Sequence, residues 1–258
     1  MAAAYFRQLS AHLRSYGEYP ADFWVMMGAG LVYQVLVFAF FTLLFANVDT
    51  IAGWDYFEML MLVGFLSLSR SSISLLWNGI WDTGKLVVGG NLDYQLCRPV
   101  PVLFQVASGQ FGAQGFGNAS IAIATIAVGW IGAGISPWGL PVALLLLGCA
   151  VVINVSIVTI GNAVNFWAKG RSSTVASAVM KAQEELVRYP LEIYPVAVRA
   201  SLTFVLPFAF VSVVPVGVLT GHYAPWAILG SVGVAVMSAS LAQFVFNTGL
   251  RAYDSAGH

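Results

Sequence analysis

Charge is what this sequence has least of. Lysine and arginine number 11, aspartate and glutamate 11, and together they make up only 9% of the 258 residues. Soluble domains carry about 25% charged residues, so a chain this poor in them cannot clothe a globule of its length in a solvated surface. A formal net charge of zero removes the strongly basic face that nucleic acid demands. Cysteine is nearly absent as well. Cys97 falls in a polar stretch and Cys149 in an apolar run, two depths that no disulfide framework would join. The histidines, His12, His222 and His258, lie in three separate polar regions, with no Cys, Asp or Glu at metal-ligand spacing. The serines of SLSRSSISLLWN have no evident base to activate them. Neither a metal, nor an organic cofactor, nor a reaction on this chain is expected.

What the sequence has in quantity is apolar length. Hydrophobic residues make up 59% of it. Crossing a bilayer as a helix takes about 20 residues, and five runs reach that: 23–46, 56–78, 111–133, 139–167 and 225–249. The first is too long for a signal-peptide core, so no cleavage is expected. Loops 47–55, 134–138 and 218–224 contain no Lys or Arg, whereas Arg7, Arg14, Lys85, Arg98, Lys169, Arg171 and Arg251 fall at the opposite ends. Positive charge stays in the cytoplasm, which puts both termini inside and demands an even number of crossings, six. Within 2–19, Tyr5, Phe6, Leu9, Leu13 and Tyr16 recur at helical spacing among Arg7, His12 and Arg14. That pattern suits an amphipathic helix on the inner membrane surface; the plainer reading is a frayed leader. The expected fold is an all-α integral membrane protein of six transmembrane helices, one domain over 1–258.

The sixth crossing is ambiguous. Residues 188–221 are almost wholly apolar, yet carry Pro190, Pro195, Pro207 and Pro215, with Glu192 and Arg199 near the start. Each proline removes a backbone donor and clashes with the preceding turn, so one straight helix is disfavoured. The alternatives are a kinked helix and a broken, re-entrant element, which lipid tolerates only where protein or water surrounds it. If 193–218 crosses, 170–190 is a cytoplasmic amphipathic helix. If 171–189 crosses, 190–220 dips back from the outer surface and Lys181, Glu184 and Glu185 enter the membrane, at a cost unless paired. Lys181 can pair with Glu185, and Arg188 with Glu184, each at i,i+4. A carboxylate left over would attract a transported cation.

Other motifs weigh less. GIWDTGKL, from Gly79, is one residue from a phosphate-binding loop, but Leu86 stands where magnesium needs Ser or Thr and no strand precedes it. NAS at 118 and NVS at 154 lie in apolar spans, so their match to glycosylation sequons is accidental. Arg70 sits inside the second span and either snorkels to the cytoplasm or pairs in the bundle. Asn154, Gly161, Asn162 and Asn165 form a polar stripe, read either as helix-packing glue or as a substrate path. The polar interval 79–110 is long for a connector and suits docking, with a short helix over Asn91–Arg98.

Three phrases resemble a known family: GGNLDYQLCRPVPVLFQV at 89–106, RYPLEIYPVAVRASLTFVLPFAFVSVVP at 188–215, and the tail GLRAYDSAGH from Gly249. They resemble the permease subunits of type-2 ABC exporters, in particular a small six-span family formerly catalogued as a domain of unknown function. The resemblance implies a subunit without ATPase activity in the bacterial inner membrane, two copies or paralogues of which form the path. It implies a separate ATP-binding subunit docked through a coupling helix, here Asn91, Leu92, Asp93, Tyr94 and Arg98. It favours crossing at 171–189 and re-entry at 190–220. Candidate path residues are Asn154, Asn162, Glu184, Glu185, Glu192 and Arg199, for an unspecified small-molecule substrate. The alternative function is a self-sufficient channel or ion-coupled carrier, for which Glu184 and Glu185 are the available intramembrane carboxylates.

Overall fold

The computed structural model describes Tyr5, Ser10, residues 20–168 and residues 173–253. Tyr5 and Ser10 are helical. The rest of the interfacial helix expected over 2–19, the basic pair Lys169 and Arg171, and the tail beyond Tyr253 lie outside the described residues.

Apolar length becomes helix wherever no proline intervenes, because lipid offers no partner for an open backbone. Among the described residues, five helical stretches are long and apolar enough to cross a membrane: Ala21–Phe45, Tyr56–Leu76, Gln114–Gly132, Pro137–Ala168 and Ala227–Arg251. They match the five runs legible in the sequence. We number the helices α1 (Pro20–Phe45), α2 (Tyr56–Leu76), α3 (Thr83–Val88), α4 (Leu92–Leu96), α5 (Val102–Ala107), α6 (Gln114–Gly132), α7 (Leu140–Ala163), α8 (Asn165–Ala168), α9 (Ser173–Leu186), α10 (Val196–Ala200), α11 (Val213–Thr220) and α12 (Ala227–Arg251).

Helix α2 is the axis of the bundle. It starts on a capping box in which Asp55 accepts from the Glu58 amide at 2.8 Å and Glu58 accepts from the Asp55 amide at 2.9 Å. Its residues Met59–Leu66 are all buried, between α6 on one side and α7 on another. Helix α1 closes against α6, and α12 against α7. Their outer faces stay apolar and exposed, as Leu36 and Leu43 on α1 and Leu229 and Phe244 on α12 show. Such faces are stable only against lipid or another apolar surface. The α1–α6 crossing is close because both sides use glycine. A Cβ on Gly117 would lie 2.2 Å from the Met27 carbonyl oxygen, and one on Gly30 would lie 2.7 Å from that of Gln114. Small residues that let backbones approach are how membrane helices gain packing without a hydrophobic drive.

The proline-rich segment breaks where the prolines stand. Pro190 precedes a 3-10 turn at Leu191–Ile193, Pro195 precedes α10, which runs on as a π turn over Ser201–Val205, and Pro207 precedes a 3-10 turn at Phe208–Phe210. Pro215 sits in the first turn of α11, where its missing N–H costs nothing. The single kinked helix over 193–218 therefore does not form. Gly221, at φ 87°, ends α11 in the left-handed region that glycine adopts without strain.

Helix α9 does not lie alone on a surface. It packs on α7, with Gln183 fully buried between them. The Ser212 hydroxyl, just before α11, donates to the Val187 carbonyl at 3.3 Å. Its 14 residues rise about 21 Å at the helical 1.5 Å per residue.

Candidate functional site

Among the described residues, two places combine polar chemistry with a built geometry, one inside the bundle and one in the loop between α2 and α6. Inside, α1, α2, α6 and α9 line a half-open cavity of about 290 Å³. Glu184 is its centre. The carboxylate takes Arg70 Nη1 on Oε2 at 3.0 Å and Arg188 Nη2 on Oε1 at 2.6 Å. Arg70 also donates to the Met180 carbonyl at 3.2 Å, and Arg188 to the Tyr33 hydroxyl at 2.5 Å. The three charged side chains are each about a quarter exposed, so they meet the cavity rather than the packed core. Of the two fates open to Arg70, the structure takes pairing within the bundle. Glu184 and Arg188 form the i,i+4 pair that their spacing allows.

A second polar chain runs behind the cavity. Gln183 donates to Asn154 Oδ1 at 2.6 Å, and Asn154 donates to Ser69 Oγ at 2.8 Å, which ties α9, α7 and α2 together. Asn162 and Asn165 turn inward on local backbone, donating to the carbonyls of Val158 and Asn162. Asn154 and Asn162 are fully buried.

The sequence-selected path residues thus separate. Glu184 lines the cavity, and Asn154, outside its wall, accepts directly from Gln183 of α9. Lys181 and Glu185 are exposed, and the ion pair their spacing allows is not among those of the described residues. Glu192 and Arg199 are exposed on the broken segment, where Glu192 accepts from the Tyr223 hydroxyl at 2.7 Å. Burial, and then that carboxylate, push the Tyr223 phenol well up. Nearby, His222 stacks on Trp54 at 4.3 Å and meets Glu58 at 2.9 Å, joining the loop after α11 to the first turn of α2. Tyr33 and Gln34, which complete the cavity wall, were not singled out from the sequence. The signal was there, two polar side chains in mid-span of an otherwise apolar run.

The second place is the interval 79–110. A 3-10 turn at Asn78–Asp82 leads through α3 to α4, the short helix expected over Asn91–Arg98. Leu92 is fully buried and anchors α4, while Tyr94 is 67% and Leu96 48% exposed. Arg98 lies 4.3 Å over the Tyr94 ring and donates to its hydroxyl at 2.5 Å. Gln105, buried on α5, straps the turn by donating to the Gln95 carbonyl at 2.9 Å and the Val100 carbonyl at 2.6 Å. Asn91 is exposed and Asp93 half-buried. Asp93 stands beside Tyr253 of the C-terminal stretch, and burial followed by that carboxylate raises the Tyr253 phenol. Lys85 pairs with Asp82 at 2.7 Å in solvent, so the near-phosphate-loop phrase is a helix start with an ion pair. Tyr5 reaches the same end of the bundle, donating its hydroxyl to the Leu76 carbonyl; burial there pushes its phenol up to about 12.

A family model described as ABC-2 family transporter protein matches residues 31–257. No curated protein matches the chain significantly.

Proposed function

The chain belongs to the ABC-2 transporter family, a family of multi-pass membrane proteins, and from that premise we propose that it is the permease subunit of an ATP-driven exporter. Two copies, identical or paralogous, form the path. ATP is hydrolysed on a separate subunit docked at α4 in the cytoplasm of a bacterium, and both termini lie on that side. The observation that carries the reading is α4 itself. A fixed, solvent-facing short helix presents an exposed aromatic and an exposed leucine, on a chain with little other soluble mass. Exposed apolar side chains held rigid on a polar loop are what a partner surface recognises. ATP closure of the partner would move the docked loops and bias the bundle between two arrangements. A self-sufficient ion-coupled carrier needs free intramembrane carboxylates, and Glu184 is closed by two arginines. The chain co-purified with its ATP-binding partner is expected to hydrolyse ATP, and the chain alone to show no turnover. Turnover by the single purified chain would overturn the assignment.

In this reading 171–189, which contains α9, is the fifth of six crossings and 190–220 re-enters from outside. Support comes from contacts in succession. Met180 meets Arg70, Gln183 meets Asn154, and Tyr189 packs on Phe41 near the far end of α1 at 6.0 Å. Glu192 then meets Tyr223 beside the start of α2. Glu192→Cys, in a Cys97→Ala and Cys149→Ala background, is expected to react with an impermeant thiol reagent in intact cells. Labelling only after permeabilisation would return the segment to the cytoplasmic side.

A further inference from the structure

The carboxylates suggested a cation as cargo; the cavity around Glu184 argues the opposite sign. Resting on the export-subunit reading, we propose that this cavity holds an oxyanion, the phosphate or carboxylate head of an anionic molecule, between Arg70 and Arg188. Both oxygens of Glu184 are already taken, one by each guanidinium. Glu185, the other candidate, is exposed and outside the cavity wall. The charged groups lining the cavity are Arg70, Arg188 and Glu184, two positive against one negative, a net +1.

A guanidinium carries five N–H donors in a planar fork. Arg70 spends only Nη1, on Glu184 and Met180, and Arg188 only Nη2, on Glu184 and Tyr33, among the described residues. The remaining donors have fork geometry suited to two oxygens of one phosphate or carboxylate. Gln114 lines the same space and brings an amide donor, whereas the Ser67 and Ser71 hydroxyls already donate to Gln34 Oε1 and to the Ser67 carbonyl. A cation entering would raise the local charge to +2 in surroundings that solvate charge poorly, whereas an oxyanion would cancel it. The space is about 290 Å³, many times what a single water needs. That accommodates a head group and leaves an apolar tail to lie elsewhere. A soluble anion and an anionic lipid head share this chemistry.

The test uses the full chain in a neutral maltoside micelle, with melting temperature as the readout. Titrants are inorganic phosphate, dodecyl phosphate and, as the opposite charge, dodecyltrimethylammonium. Saturable stabilisation by either phosphate and none by the ammonium is expected. Arg70→Gln and Arg188→Gln should each weaken binding about tenfold or more, the scale for losing a charge-assisted hydrogen bond. Glu184→Gln should retain or tighten it, and Arg70→Lys should keep most of it. Should the glutamine variants fail to fold, the sign preference of the unaltered protein still decides. Nanodiscs of phosphatidylcholine with and without phosphatidylglycerol separate the sources: a shift with phosphatidylglycerol alone assigns a lipid head, and one with free phosphate a soluble anion. Saturable binding of the ammonium that Glu184→Gln abolishes, or no saturable anion binding at all, overturns the proposal. No ATP or partner is present, so absent ATP-driven export with intact anion binding counts against the exporter reading and leaves this site standing.

Discussion

Replacing Asp93 and Tyr94 together by alanine is expected to abolish ATP-driven transport while the chain still inserts and folds. The asymmetry follows from how α4 is built. Its inward side is held by Leu92, which is fully buried, and the turn after it by Gln105. Neither is touched by the substitution. Its outward side is Tyr94, 67% exposed and stiffened by the Arg98 guanidinium at 4.3 Å. An aromatic of this kind, rigid before binding, is a hot-spot residue worth about 2 kcal/mol or more, about thirtyfold in affinity. Asp93 adds a carboxylate beside it. Removing both should release the ATP-binding subunit, read as loss of co-purification and of substrate-stimulated ATP turnover, with an unchanged elution profile for the permease. Asp93 also neighbours Tyr253, and Tyr253→Phe separates the two roles: it deletes that hydroxyl alone and should transport normally. Wild-type coupling in the double variant would move the docking surface elsewhere.

Gly117→Val should cost about 3 kcal/mol of stability, the upper end for forced overpacking. The reason is the identity of the obstructing atom. A Cβ there meets the Met27 backbone carbonyl oxygen at 2.2 Å, with the Leu31 amide at 3.1 Å. Backbone cannot swing aside as a flexible side chain can, so α1 must move away from α6 as a unit. Gly148 on α7 has nothing within 4 Å of its own Cβ position, and Gly148→Ala should leave the melting temperature in micelles unchanged or raise it. Equal tolerance at the two glycines would show that α1 is not tightly seated.

Much of this architecture was legible beforehand because hydropathy and proline act locally. A run of apolar residues must satisfy its own backbone in lipid, so Tyr56–Leu76 and Ala227–Arg251 are helices whatever surrounds them. Pro190, Pro195 and Pro207 lack a donor wherever they stand, so the breaks at 191, 196 and 208 follow from composition. The short helix at Leu92–Leu96 was expected within Asn91–Arg98. Its strap was not: Gln105 is a single glutamine in an ordinary stretch, and its partners become apparent only when the chain has turned back at Pro101.

The candidate site was less legible for the same reason. Spacing along one helix allowed Glu184 to meet Arg188, and also Lys181 to meet Glu185; the fold realises the first and leaves the second pair in the open. What separates them is the face of α9 turned toward α2, where Arg70 waits 114 positions earlier in the chain to take the second carboxylate oxygen. No local rule links those positions, and the sign of the cavity depends on that link. The sequence by itself determined which segments are helical, where the proline-rich segment breaks and that charge is scarce, since each is decided within a few residues by lipid and backbone chemistry. Tertiary structure alone decided that two arginines share one glutamate, that Tyr33 and Gln34 complete their cavity, and that Asp93 meets Tyr253, because a charge acquires its partners only when distant helices are brought within a few ångströms of it.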